Sequence, residues 1–161
     1  MTRTVALIVA AGRGTRFGGP VPKQYCALGG PAVLARTIAA FRDPPAIAAV
    51  QVVIHPDDRE RYDAAVIGLD LLPPVAGGAS RQDSVRLGLE SLADAPPDLV
   101  LIHDAARPFL DAAAIDRVIA ALGEAEGAVA ALPVTDTVKR QDAAGNSAGT
   151  VDRTGLWRAQ T

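Results

Sequence analysis

The chain alternates short, unbroken apolar runs with longer stretches in which apolar residues recur every three or four positions. Residues 4–11 (TVALIVAA) and 48–55 (AAVQVVIH) read as buried strands, and 98–104 (DLVLIHD) as a strand ending in polar groups. A further strand is expected over 127–134 (GAVAALPV), and a weaker one over 69–75 (LDLLPPV), stopped by its prolines. Helical patterns occupy 31–42, 57–68, 80–92 and 111–125. Pro31 suits a first helical turn, acids open the second helix, and Val85, Leu89 and Leu92 share one face of the third. Strands without polar alternation are buried on both sides, and strand–helix alternation implies βαβ crossovers. The pattern therefore predicts an α/β protein with a mainly parallel twisted sheet and helices on both faces. Ligands of such sheets sit outside the carboxyl ends of the strands. That rule singles out the loop after Ala11, residues 55–57, residues 77–84 and residues 103–107.

After Val134 the pattern changes. Residues 135–161 mix small, polar and β-branched side chains around a Gly-Asn turn, which reads as a β-hairpin arm with no core of its own. The expected division is a nucleotide-binding α/β domain over 1–134 and an arm over 135–161. The arm needs a surface to cover it, and a partner chain is the expected one.

Length and charge narrow the classes. A chain of 161 residues suggests one domain, and a formal net charge of -2 gives no argument for nucleic acid or an acidic membrane as partner. The lone cysteine, Cys26, has no internal disulfide partner and reads as a reduced cytosolic thiol. The apolar N-terminal run leads directly into glycines, so it reads as a first strand and not as a signal peptide. No apolar stretch is long enough to span a bilayer. A soluble, cytoplasmic protein is expected.

Candidate chemistry begins with AAGRGTRFGGPVPKQY, residues 10–25. Gly12, Gly14 and Gly18 resemble a dinucleotide fingerprint, but that site needs a helix to start inside the turn. Pro20 and Pro22 block it, and the second strand ends in His55-Pro56 where an acid is wanted. No Gly-Lys-Ser/Thr follows, so a P-loop is excluded as well. What remains is a long loop whose glycines let backbone amides approach phosphate, with Arg13, Arg16 and Lys23 adding positive charge. A solvated basic turn is the alternative.

Two further strand ends carry signals. Asp104 closes a buried strand and could hold Mg2+ together with substrate phosphates, while Arg107 on the same loop could bind an anion. An Asp–Arg pair that merely ties down a turn is the other reading, and His103 reads as a satisfied core histidine. In GGASRQDSV (77–85), Gly77 and Gly78 could let backbone reach a flat base, and Ser84 could hydrogen-bond its edge. Ser80 and Asp83 could equally form a capping box. No nucleophile elbow, Cys–His pair or zinc spacing is present.

Taken in order, AAGRGTRFGGPVPKQY, GGASRQDSV, HDAARPF, PVTDTVKR and TVDRTGLW closely resemble the 2-C-methyl-D-erythritol 4-phosphate cytidylyltransferases. The resemblance implies a Rossmann-like nucleotidyltransferase fold with a projecting β-arm. It also implies homodimers whose arms reach the neighbouring active site. The implied reaction joins CTP and methylerythritol phosphate to give CDP-methylerythritol and pyrophosphate, with Mg2+ as cofactor. Carried over residue by residue, Arg16 and Lys23 hold the triphosphate and stabilise the reacting phosphate, as catalytic residues. Ala10, Ala11, Gly78 and Ser84 match positions that read cytosine and ribose, beside the glycine loop with Gly12 and Gly14. Asp104 matches the acid at the ribose and metal end. Arg107, Thr137 and Arg153 match residues that grip methylerythritol phosphate, the last two from a partner's arm. Ala79 departs from members that carry an acid there. The family pattern also continues beyond WRAQT, so the chain looks like a fragment; some relatives join this domain to the cyclodiphosphate synthase of the same pathway, and the sequence leaves open whether this one does. The alternatives are a cytidylyltransferase for another alditol or sugar phosphate, and a non-catalytic nucleotide-binding fragment.

Overall fold

A computed structural model of the chain describes residues 2–14, 18–42 and 44–160. Within them the chain forms two compact units, one through Ile115 and the other from Asp116 onward.

The first unit is built on strands β1 (Thr4–Ala10), β2 (Ile47–Ile54), β3 (Val75–Ala76) and β4 (Leu99–Asp104). They form one sheet in the order β3-β2-β1-β4, and every pairing is parallel. This is the α/β architecture expected from the strand–helix alternation. β1 lies at its centre, with Ala10 level with Ile54 and Val9 level with Asp104. Successive residues Val5, Ala6, Leu7 and Ile8 are all fully buried, so both faces of β1 are covered. Helices α1 (Val33–Arg42) and α3 (Arg81–Glu90) both pack on β1 and β2. Gly88 lets α3 approach closely: a Cβ there would fall 2.7 Å from Leu7 Cδ1 and 2.8 Å from Val53 Cγ2. A short 3-10 turn, Pro56–Asp58, leads from β2 into α2 (Arg59–Ala65).

Two expected strands came out differently. The strand expected over 69–75 is reduced to the two residues of β3, because Pro73 and Pro74 cannot donate to a ladder. The strand expected over 127–134 is only β5 (Ala131–Pro133), and it pairs antiparallel with β8 (Trp157–Ala159) instead of extending the parallel sheet. Helix α4 (Ala112–Ala121) is shorter than the 111–125 pattern, and Asp111 caps it by accepting a hydrogen bond from the Ala114 amide at 2.7 Å.

In the second unit, β6 (Val138–Gln141) and β7 (Ser147–Val151) form an antiparallel hairpin, as the sequence predicts. Its turn is closed by the Asp142 carboxylate, which accepts from the Ala144 and Asn146 amides at 3.0 and 2.8 Å. Gly145 takes the left-handed conformation (φ 87°) that the turn requires. The guanidinium of Arg153 donates to the Thr135 carbonyl, two positions before Thr137.

Candidate active site

A cleft of about 650 Å³ opens at the carboxyl ends of β1 and β4. In a sheet of order 3-2-1-4 that is where strand order reverses, and the crossover helices diverge there to leave a crevice. Ala10, Ala11, Gly12, Lys23, Gly78, Ser84, Asp104 and Arg107 all line it. Eight residues singled out in the sequence, drawn from three separate stretches, thus converge on one cavity. Gly14 holds the left-handed turn behind them (φ 63°), against Lys23. Arg16 lies outside the described residues. Thr137 and Arg153 belong to the second unit.

The glycine loop does not run on as a helix. Pro22 (φ -58°, ψ 137°) is extended, and one 3-10 turn, Lys23–Tyr25, follows it. The loop is anchored by Gln24, which is buried to 3 % exposure. Its side-chain amide donates to the carbonyls of Ala10 at 2.7 Å and Gly12 at 2.9 Å. Those two bonds fix the exit of β1 and place Lys23, the neighbouring residue, at the mouth. Sequence reasoning passed over Gln24; a polar residue inside a proline-stiffened loop is the signal that could have found it.

The opposite wall is the turn before α3. Ser80 and Asp83 form a full capping box, the Ser80 hydroxyl accepting from the Asp83 amide at 3.0 Å. Ser84 is buried; its hydroxyl accepts from the Gly78 amide at 3.1 Å and donates to the Ser80 carbonyl at 2.9 Å. The capping reading of this stretch holds, with Ser80 and Asp83 forming the cap, while the Ser84 hydroxyl is engaged by the turn itself and fixes Gly78 at the cleft. The glycines are required by the chain itself. A Cβ on Gly77 would lie 2.4 Å from Ala11 Cβ and 2.9 Å from Ser84 Oγ, and one on Gly78 would lie 2.4 Å from Asp83 Cβ. Such distances leave no room for a side chain, so this turn is pressed against the end of β1.

The third wall is the loop after β4. Asp104 accepts from Arg81 Nε at 3.0 Å and from Arg107 Nε at 3.2 Å. The Asp104–Arg107 pair does tie the turn, and Arg81, which the sequence reading did not single out, completes it from α3. Thr37 holds this loop from behind, its buried hydroxyl donating to the Ala105 carbonyl at 2.8 Å. His103 is buried with Nε2 3.0 Å from the Arg107 carbonyl and its ring 5.1 Å from that of Phe41, as a core histidine should be.

Four of the charged side chains lining the cleft are cationic (Arg13, Lys23, Arg81 and Arg107) and one, Asp104, is anionic. The whole chain carries -2. A cationic cleft in an acidic chain concentrates anions locally. Among the described residues no three of His, Cys, Asp and Glu converge as a ready metal cage. Asp104 is the one carboxylate among the described residues lining the cleft, so it is the hard oxygen donor that a Mg2+ ion would use there, shared with Arg81 and Arg107. No helix among the described residues is long and apolar enough to cross a membrane.

Comparison with known proteins agrees with this geometry. The family model for 2-C-methyl-D-erythritol 4-phosphate cytidylyltransferase matches residues 4–161. A bifunctional enzyme IspD/IspF of Paramagnetospirillum magneticum is 62% identical over 162 residues, and that of Rhodospirillum rubrum 61% identical; each alignment covers 100% of this chain and 42% of the relative. The chain thus spans less than half the length of these curated relatives. A solved 4-diphosphocytidyl-2C-methyl-D-erythritol synthase superposes with a TM-score of 0.84 at 35% identity, covering 100% of this chain and 73% of that one. The Francisella tularensis 2-C-methyl-D-erythritol 4-phosphate cytidylyltransferase superposes with a TM-score of 0.79 at 26% identity, over 99% and 70% of the two chains. With the motifs matched in order and three of them converging on one cationic cleft, this chain belongs to the 2-C-methyl-D-erythritol 4-phosphate cytidylyltransferase family.

Proposed function

We propose that the protein transfers a cytidylyl group from CTP to 2-C-methyl-D-erythritol 4-phosphate, releasing pyrophosphate, as a step of non-mevalonate isoprenoid biosynthesis. The observation that carries this reading is the meeting of the glycine loop, the Gly78–Ser84 turn and the Asp104–Arg107 loop around one cleft. An oxygen of the acceptor phosphate attacks the α-phosphorus of CTP; the bond from that phosphorus to the bridging oxygen breaks, and pyrophosphate departs. A phosphate monoester is largely ionised at neutral pH, so the nucleophile needs no general base. The difficulty is bringing two anions together, and catalysis is positioning plus charge compensation.

Lys23 would act as a point charge on the triphosphate, with Arg16 as the forked partner that the family resemblance assigns. The amides of Ala11 and Gly12 and the Gly78 turn would receive the nucleoside. Arg107 would hold the acceptor phosphate, with Thr137 and Arg153 supplied by a partner's arm. Mg2+ would be held by Asp104 and the phosphates, and when bound it supplies charge neutralisation. A homodimer through the arm is supported by exposed Leu156 and Trp157 within it. Apolar groups of that size gain from a covering surface. A cytoplasmic location is supported by the unpaired Cys26.

The test is a pyrophosphate-release assay with CTP, Mg2+ and methylerythritol phosphate, beside a panel of other alditol and sugar phosphates. Turnover confined to the panel would reassign the acceptor. CTP binding without release of pyrophosphate from any acceptor would leave this polypeptide a nucleotide-binding unit.

A further inference from the structure

Asp58 is fully buried, yet it is a carboxylate and belongs to none of the three walls of the cleft. It stands at the N-cap position of α2 but makes no capping hydrogen bond. Its charge is turned elsewhere. Oδ2 accepts from Arg13 Nη1 at 3.2 Å, and Oδ1 accepts from Arg61 Nη1 at 2.7 Å. Arg13 lies on the glycine loop and lines the cleft; Arg61 lies on α2 and does not. The Arg13–Asp58 contact joins residues 45 positions apart.

A buried carboxylate is strongly disfavoured unless it is paired and hydrogen-bonded, so Asp58 must hold its guanidinium partners. An Asp58–Arg13 pair alone would be neutral and of little use to an anion. With Arg61 the cluster carries one net positive charge, so Arg13 can still face the cleft as a cation. The Arg13 side chain is 46% exposed, and Asp58 takes hydrogen bonds from only one of its nitrogens. Arg13 also sits between Gly12 and Gly14, where neighbouring side chains cannot steady it, and a Cβ on Gly12 would meet nothing within 4 Å.

We infer that Asp58 is a positioning residue that aims Arg13 at an oligophosphate bound in the cleft, and that Arg61 keeps Arg13 electrostatically available by offsetting the Asp58 charge. The inference rests on the cytidylyl-transfer reading only in taking a triphosphate as the anion.

The test is isothermal titration of the full-length protein with inorganic tripolyphosphate, in the parent and in Asp58→Asn, Arg61→Ala, Arg13→Ala and the two double variants containing Arg13→Ala. Removing a negative charge beside an anion site would by Coulomb's law alone tighten binding. The inference demands the opposite: Asp58→Asn weakens tripolyphosphate binding by about threefold or more, within the coupling range of contacting residues. Arg61→Ala, a change at an exposed side chain, weakens it by a similar factor. Both effects vanish once Arg13 is alanine. Should Asp58→Asn fail to fold, the Arg61→Ala and Arg13→Ala pair completes the cycle alone. Tighter or unchanged binding in Asp58→Asn or Arg61→Ala, effects that persist in the Arg13→Ala background, or a parent that binds no tripolyphosphate would each overturn it. CTP binding no tighter than tripolyphosphate, with the coupling intact, would count against the cytidylyl reading and leave this one standing.

Discussion

Gln24→Leu is the sharpest probe of how the cleft is held. Leucine is close to glutamine in size, so the change removes the side-chain amide while opening little cavity. Two hydrogen bonds are lost, to the carbonyls of Ala10 and Gly12. Each neutral bond contributes about 1 kcal/mol net, so the direct cost is about 2 kcal/mol. It rises toward roughly 4 kcal/mol if the carbonyls stay dry, because an unpaired buried acceptor adds its own desolvation penalty. For a protein of this size about 1 kcal/mol moves the melting temperature by roughly 2–4 °C, so a fall of at least about 4 °C is expected. Thermal unfolding followed by circular dichroism measures it. The same variant should bind CTP more weakly, because the loop that presents Gly12 and Lys23 must then be ordered at the moment of binding. A melting temperature within about 1 °C of the parent, where roughly 4 °C or more is expected, would show that Gln24 does not anchor the loop.

Three other outcomes are expected. Lys23→Ala should lower turnover by about 100-fold or more while CTP affinity changes far less, because charge compensation acts mainly in the transition state; steady-state kinetics decides it, and parental activity refutes the role. Gly77→Ala places a methyl 2.4 Å from Ala11 Cβ, so the turn must shift away from β1. It should cost about 1–3 kcal/mol in denaturant unfolding and weaken CTP binding in titration calorimetry; an unchanged midpoint would show that the turn yields freely. Tyr25 is held above the ordinary tyrosine range first by burial and then by the nearby Asp58 charge. Its raised folded value means that this contribution to stability is complete below the unfolded tyrosine value of about 10 and is lost as pH rises beyond it. Its hydroxyl is buried with no hydrogen-bond partner among the described residues. Tyr25→Phe should therefore be no less stable than the parent at pH 7 and should flatten the alkaline loss; urea midpoints between pH 7 and 11 test both.

The frame of the fold was legible because it rests on local pattern. The apolar runs of β1 and β2, the latter interrupted only by Gln51, called for burial on both faces, and burial forces the helices to alternate with them. Pro20 and Pro22 stood in the sequence as a plain statement that no helix follows the glycines. The carboxyl-end rule then placed the glycine loop, the Gly78–Ser84 turn and the Asp104 loop at one site without any coordinates. The edges failed where pairing partners decide the outcome. The apolar run 127–134 reads as a strand, but a strand needs a neighbour, and the neighbour of residues 131–133 proved to be β8 and not the parallel sheet.

What only the tertiary structure decided is who holds whom. Asp58 reads in the sequence as an ordinary helix-start acid, and Arg81 as an ordinary exposed first-turn residue. Their partners, Arg13 and Asp104, lie 45 and 23 positions away. Gln24 gives no periodic signal, because its hydrogen bonds go to backbone carbonyls that any sequence possesses. Periodicity records which side of an element faces the core, since that is a local, repeated choice along the chain. Ion pairs and single hydrogen bonds across loops depend on distances set after the sheet has closed, and no spacing within the chain encodes them.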